Sequence, residues 1–377
     1  MRKMEISHEM FGKIVEICYE KKVPIDIKGK TGIGKSQVIK QKAKEIAKKK
    51  NKEFVEWNEV RDKGKLLENI SKYFLFGDLR LSQMDPTDLK GLVNFKDNYV
   101  EWVPNILWLI LSHPEADGIV FFDEANLAPP SVLAAMYQVI NDRQSGELPI
   151  SKNILLISAG NTLDDKAHVH DEPAPLKNRR INYVLKEPFM DAQSKEDWGK
   201  WAANNNIDSS IISFLYFKPS YLHKFDKNST EASFPTPRAW VKCSELIQGV
   251  DNKEILYGLI SGSVGEGVAA EYQSFLKVTQ KIDFRELLKN PKTVEKYNQL
   301  DMKFAVVSGV SELFKNDNKI LGQAVSLCHY MDPDFGMYMM RIIKGYYKGD
   351  FPTLLRESIK ELKNEKEVFD RMYKYLS

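Results

Sequence analysis

Eight residues near the start of the chain, Gly29-Lys30-Thr31-Gly32-Ile33-Gly34-Lys35-Ser36, constrain the fold more than any other feature. They satisfy the pattern GxxxxGK[ST] at every position, and the flanks agree with it: Pro24 to Ile27 reads as a β-strand, and a helical pattern follows Ser36. Glycines at these places let the backbone curl into a concave loop whose N–H groups point inward. The N-terminus of the following helix adds its positive end to the same anion site. In such a loop Lys35 reaches the β- and γ-phosphates of a nucleotide and the Ser36 hydroxyl is placed to ligate Mg2+. Lys30, Thr31, Ile33 and Gln37 complete the phosphate-binding stretch. The competing reading is a glycine-rich turn with a chance lysine, which the strand and helix flanks disfavour.

The rest of the first half supports a parallel sheet. Short β-branched runs alternate with helical patterns: Phe54 to Trp57, Gly118 to Phe122, the helix Pro130 to Asn141, then Ile154 to Ala159. After Pro188 the strand signal fades and helical periodicity takes over, through Trp198 to Ala203, Pro237 to Leu246 and most of the chain beyond Val264. Asp283 to Asp301, polar and holding Pro291, reads as a connection. The fold class expected is therefore α/β: a P-loop NTPase parallel-sheet core followed by an all-α part.

A phosphate loop binds nucleotide but needs carboxylates to hydrolyse it. Gly118-Ile119-Val120-Phe121-Phe122 carries no charge, as a strand buried on both faces should, and Asp123 and Glu124 emerge together where ligands of parallel sheets collect. Asp123 would hold the metal, and Glu124 would orient and deprotonate the attacking water. Two solvated acids at a strand end are the plainer alternative. Ile154 to Ala159 ends in Gly160-Asn161-Thr162. An Asn after a Gly is usually a turn residue, but this one falls beside the other two strand ends, where its amide could bond the γ-phosphate or the water. Three arginines could neutralise charge on a transferring phosphoryl group: Arg179 and Arg180, which lead into the strand Ile181 to Leu185, and Arg238, which opens a helix after Pro237.

Composition narrows the partners. Lys and Arg (55) nearly balance Asp and Glu (52), so the net charge of +3 over 377 residues supplies no field toward nucleic acid or membrane. Lys48 to Lys50 reads as a solvated helix C-terminus. Cys18, Cys243 and Cys328 are too scattered for a zinc site and are expected to be reduced and buried. No signal-peptide core or membrane-length apolar run is present, which points to the cytoplasm. His168, His170, Asp171 and Glu172 invite a metal reading, but they sit together in one polar loop. Phe214 to Phe217 and Tyr221 form an aromatic stripe that reads as core rather than a base-stacking platform. No LSGGQ-like segment appears, which sets aside ABC transport.

Taken in order and spacing, these motifs resemble the AAA+ ATPases, and within them the MoxR-like group. The likeness rests on Gly29 to Ser36, the Asp123-Glu124 strand end, Ala159-Gly160-Asn161, the run Pro175 to Arg179, and Pro237-Arg238. The subgroup likeness comes from Asp85-Pro86-Thr87-Asp88-Leu89-Lys90-Gly91-Leu92, a hairpin pattern from Val93 to Trp102, and the helix from Val103-Pro104 to Leu109. This stretch is similar to the insert MoxR-like proteins carry in their second helix, and Asp123 to Pro130 is similar to their acidic-strand motif. The resemblance implies a core over residues 1–188 with an insert at about 85–103, a helical lid over 189–262 and a C-terminal helical region over 263–377. It further implies ATP and Mg2+ as ligands and a homo-oligomeric ring, commonly a hexamer. By the same likeness Asn161 is sensor 1, Arg179 or Arg180 is an arginine finger acting in trans, and Arg238 is the sensor 2 arginine. Arg180 stands where the family usually has Phe. The implied function is a chaperone that remodels a protein target, with a separate von Willebrand factor A domain protein as partner and the hairpin toward the pore or partner face. A nucleic-acid motor or loader would share the same core but should show a basic, aromatic-interleaved face. A scaffold with negligible turnover is disfavoured by the presence of Glu124 and the arginines.

Overall fold

The computed structural model describes residues 4–162, 178–225, 231–360 and 372. The candidate metal group His168 to Glu172 and the run Pro175 to Lys177 lie outside them. The chain divides into two units, Met1–Glu187 and Pro188–Ser377.

The first unit opens with β1 (Met4–Ile6), α1 (His8–Lys21), β2 (Ile25–Lys28), α2 (Lys35–Lys49) and β3 (Glu53–Glu56). It continues through α3 (Gly64–Glu68), β4 (Tyr73–Arg80), α4 (Pro86–Lys90), the hairpin β5 (Leu92–Phe95) and β6 (Val100–Val103), and α5 (Ile106–Ser112). Then come β7 (Gly118–Asp123), α6 (Pro130–Asp142), the two-residue strands β8 (Gln144–Ser145) and β9 (Leu148–Pro149), β10 (Ile154–Gly160) and β11 (Ile181–Leu185). Seven strands form one sheet in the order β1-β11-β2-β10-β7-β4-β3. Every neighbouring pair is parallel.

Alternation along β7 shows why the sheet is covered on both faces. Ile119 and Phe121 pack with Phe11 and Val15 of α1 and Ile39 and Ala43 of α2. Val120 and Phe122 pack the other way, with Trp108 and Leu111 of α5 and Leu133 and Met136 of α6. Burying each of these large side chains contributes about 2 to 3 kcal/mol. A strand apolar at successive positions has no other stable place than the middle of such a sandwich. The fold class is thus the expected one, a P-loop α/β core with a helical remainder.

Two strands went unread in the sequence. β4 is inserted between β7 and β3, and its Gly77 and Asp78 interrupt the apolar signal of Phe74, Leu75, Phe76 and Leu79. β1 is three residues on the sheet edge. The hairpin falls where the pattern placed it, with Leu92 paired to Val103 and Phe95 to Val100.

No strand occurs among the described residues of the second unit, which holds ten helices from Trp198–Asn204 to Phe351–Ile359. One apolar core runs through it from Ala192 to Met372. Phe214, in the aromatic stripe, is fully buried and packs at a tilt against Trp240, Tyr272 and Phe275, with ring centroids 5.9, 5.1 and 5.8 Å away. The expected connection at Asp283 to Asp301 instead carries a helix, Phe284–Lys289, and a 3-10 turn, Pro291–Lys296. Asp283 caps that helix by accepting the N–H groups of Arg285 and Glu286, so its polarity marks a helix start. All three cysteines are free and buried.

Candidate active site

Four adjacent strands, β2, β10, β7 and β4, end along one edge of the sheet, and each delivers a polar group there. β2 leads into the phosphate loop. Gly32 (φ 75°) and Gly34 (φ 97°) both adopt left-handed backbone conformations that a side chain would strain, and these two turns give the loop its curvature. Gly34 is the N-cap of α2 and offers no capping side chain, so the first N–H groups of that helix face the loop's concavity. Lys35 is 8% exposed. Its Nζ donates to the carbonyls of Gly29 (2.6 Å) and Lys30 (2.9 Å) and to Asn161 Oδ1 (3.2 Å). The lysine of the loop and the amide at the end of β10 therefore meet. His8, at the start of α1, donates from Nε2 to Ile33 O at 2.6 Å and braces the loop from outside. Thr31 and Gln37 are exposed, Ile33 is buried, and Lys30 pairs with Glu187 at 2.5 Å.

Asp123 closes β7. Its Oδ1 accepts the N–H of Glu124 at 2.9 Å. Glu124 lies in left-handed conformation at φ 54°, ψ 31°, which costs a non-glycine residue about 1 kcal/mol and is the kind of strain found at working sites. Glu124 Oε2 accepts from the Ser82 hydroxyl just beyond β4.

Asn126 lies within the acidic-strand motif Asp123 to Pro130, but the motif gave it no role of its own. Fully buried, it donates from Nδ2 to Asn161 O (2.8 Å) while its Oδ1 accepts from Asn161 N (3.0 Å). The turn that begins with Glu124 thus grips the backbone of Asn161 on both sides. Gly160 must be glycine here, since a Cβ would stand 2.6 Å from Asn126 Oδ1. Asp78 was also missed. It lies on β4, one strand from Asp123, with a buried Oδ1 that makes no hydrogen bond. Burial, and then the charge of Asp123, push its carboxyl up to about 6.

The residues present fit Mg2+. The carboxylate of Asp123 and the Ser36 hydroxyl, at the second position of α2, are hard oxygen donors. No group of three or more metal-ligating side chains exists among the described residues. Mg2+ keeps most of its water shell and leans on one or two protein oxygens.

The two arginines of the pair part company. Arg179 is exposed, its Nη1 3.4 Å from Asp142 Oδ1. Arg180 has a side chain 1% exposed, 3.7 Å from Asp26 Oδ1 and donating to Ser158 Oγ at 2.8 Å. The sequence left the finger between Arg179 and Arg180; of the two, Arg179 has the exposed side chain and Arg180 the buried one. Arg238 belongs to the second unit, exposed at the second position of the helix Pro237–Ile247. Among the described residues no helix is long and apolar enough to cross a membrane.

No family model and no curated protein sequence matches the chain. Solved structures do match. A candidate ATPase of Cytophaga hutchinsonii shares 11% identity over 98% of this chain and 89% of its own, at a TM-score of 0.32. The RuvB Holliday junction branch migration motor of Thermotoga maritima shares 13% over 77% and 76%, at 0.31. NtrX of Brucella abortus, in complex with ADP, shares 15% over 82% and 65%, at 0.34. At such scores the fold rests on this chain's own strand order and phosphate loop, and not on the likeness.

Proposed function

We propose that this protein is an ATP-hydrolysing AAA+ protein of MoxR type, dependent on Mg2+. In this reading it works as a ring, commonly hexameric, and remodels or activates a protein target as a chaperone together with a separate von Willebrand factor A domain protein. The observation that carries the ATPase reading is the meeting of Lys35 and Asn161 at 3.2 Å, with Asp123 and Glu124 closing the strand that pairs with β10. The ring and the chaperone role are supported by the motif likeness and by an exposed arginine at position 179.

Each residue then has a task. Lys35 and the N–H groups of the loop bind the β- and γ-phosphates. Ser36 and Asp123 would hold Mg2+, which neutralises charge on those phosphates when bound. Glu124, with Oε2 held by Ser82, takes a proton from water at its other oxygen, and Asn161 orients that water or the γ-phosphate. By the motif likeness Arg179 serves the site of the next subunit as arginine finger, and Arg238 is the sensor 2 arginine. Glu124→Gln should lower the ATPase rate about 10² to 10⁴-fold and leave ATP, not ADP, on the isolated protein. Full turnover by that variant would overturn the assignment of the base.

A further inference from the structure

Arg180, just before β11, buries its side chain beside two buried polar residues of the sheet, Asp26 and Ser158. Its Nη1 donates to Ser158 Oγ at 2.8 Å and lies 3.7 Å from Asp26 Oδ1, while Ser158 Oγ donates to the same Asp26 oxygen at 2.9 Å. Asp26 and Ser158 are both fully buried and stand opposite each other in the β2–β10 pairing. The guanidinium carbon is 5.9 Å from the ring centroid of Tyr137 on α6. Arg179 touches the same helix, 3.4 Å from Asp142 at its last turn.

The elements holding this dipeptide are those that carry the active site. β2 runs from Asp26 into the phosphate loop, β10 runs from Ser158 to Asn161, and α6 follows the turn that starts with Glu124. A buried ion pair is a poor source of stability, because taking both charges out of water costs about as much as their attraction returns, and apolar substitutes of similar volume are often as stable. In some proteins such a pair instead selects one defined arrangement. A turn that must hold one arginine out toward another molecule needs such a fixed anchor.

We propose that Arg180 is a positioning residue: anchored on Asp26 and Ser158, it fixes the turn that presents Arg179 and links that turn to the strands bearing the phosphate loop and Asn161. The inference rests on the trans-acting role of Arg179. Its consequence is that damage to the anchor appears in the neighbour's turnover.

The test uses mixed rings. Subunits with Lys35→Ala cannot hydrolyse but still offer Arg179, and subunits with Arg179→Ala have a working site but no finger to give. Mixed one to one, the first should restore turnover in the second. The donor is then replaced by Lys35→Ala/Arg180→Met and, as a gentler change that keeps the hydrogen bond to Ser158, by Lys35→Ala/Asp26→Asn. With ring numbers matched by mass photometry, kcat per ring should fall about 10²-fold with the altered donors, while the KM for ATP stays unchanged. The donor's own site is already inactive, so the loss can only arise in trans. Should the Met donor not fold, the Asn donor decides. Altered donors that restore turnover as well as the parent donor would overturn the anchor role alone. Failure of the parent donor would overturn the shared site as well.

Discussion

Asn126 shows how much a single side chain can organise. Its amide spends both polar ends on the backbone of Asn161, and it sits two residues after Glu124. Asn126→Ala should free the end of β10 and lower kcat about 10²-fold with little change in nucleotide affinity, as read by steady-state kinetics beside calorimetric ATP titration. Equal losses in both would mean that Asn126 only supports the fold. Asp78 allows a second test. Burial and the charge of Asp123 push its carboxyl up from 3.8 to about 6. Between those values the folded protein keeps a proton that the unfolded chain has released, so stability contributed by this group falls as pH rises through the window. Asp78→Asn removes that penalty. The variant should melt at the wild-type temperature at about pH 3 and above it by pH 7, and a difference independent of pH would contradict the account.

At the scale of elements, a carboxylate at the opposite end of the sheet ties the helices down. Asp117, next to the start of β7, accepts from the Tyr19 hydroxyl of α1 and from Lys50 at 2.7 Å, and pairs with Lys52 at 3.1 Å. Burial alone would raise its carboxyl, but the bonds from Lys50, Tyr19 and Lys52 overcome that and hold it below the ordinary range. Lys50 is the C-cap of α2, which is why the Lys48 to Lys50 run reads as a helix end and not as a basic patch. Asp117→Ala leaves Tyr19 and two lysines without this partner and should cost about 2 to 3 kcal/mol in urea unfolding at pH 7. The gap should narrow as pH falls through the folded-state pKa, because that stabilisation exists only while the carboxylate is ionised. Elements whose pattern is local were legible in the sequence: the phosphate loop, the apolar run of β7, the helix Trp198–Asn204 and the hairpin. β4 was not, because Gly77 and Asp78 break its alternation and its burial is set by β7 and β3 on either side. Asn126 and Ser82 were illegible for a related reason. Their roles depend on contacts across strands, Asn126 with Asn161 and Ser82 with Glu124, that spacing alone does not encode.

For the molecule as a whole, the first unit carries Lys35, Ser36, Asp123, Glu124, Asn161 and Arg179, and the second carries Arg238; in the proposed reading Arg179 serves the next subunit. The sequence singled out each of these residues but could not tell Arg179 from Arg180, since two adjacent arginines look alike until the fold shows one exposed and the other buried. The central claim, a catalytic site shared between subunits, is tested most directly by the ATPase rate per subunit against protein concentration, with mass photometry alongside, for wild type and Arg179→Ala. The account predicts a wild-type rate that climbs as rings appear, and an Arg179→Ala ring that forms but turns over about 10³-fold more slowly. A rate per subunit that is flat with concentration and unmoved by Arg179→Ala would contradict it and make the protein a self-contained nucleotide switch.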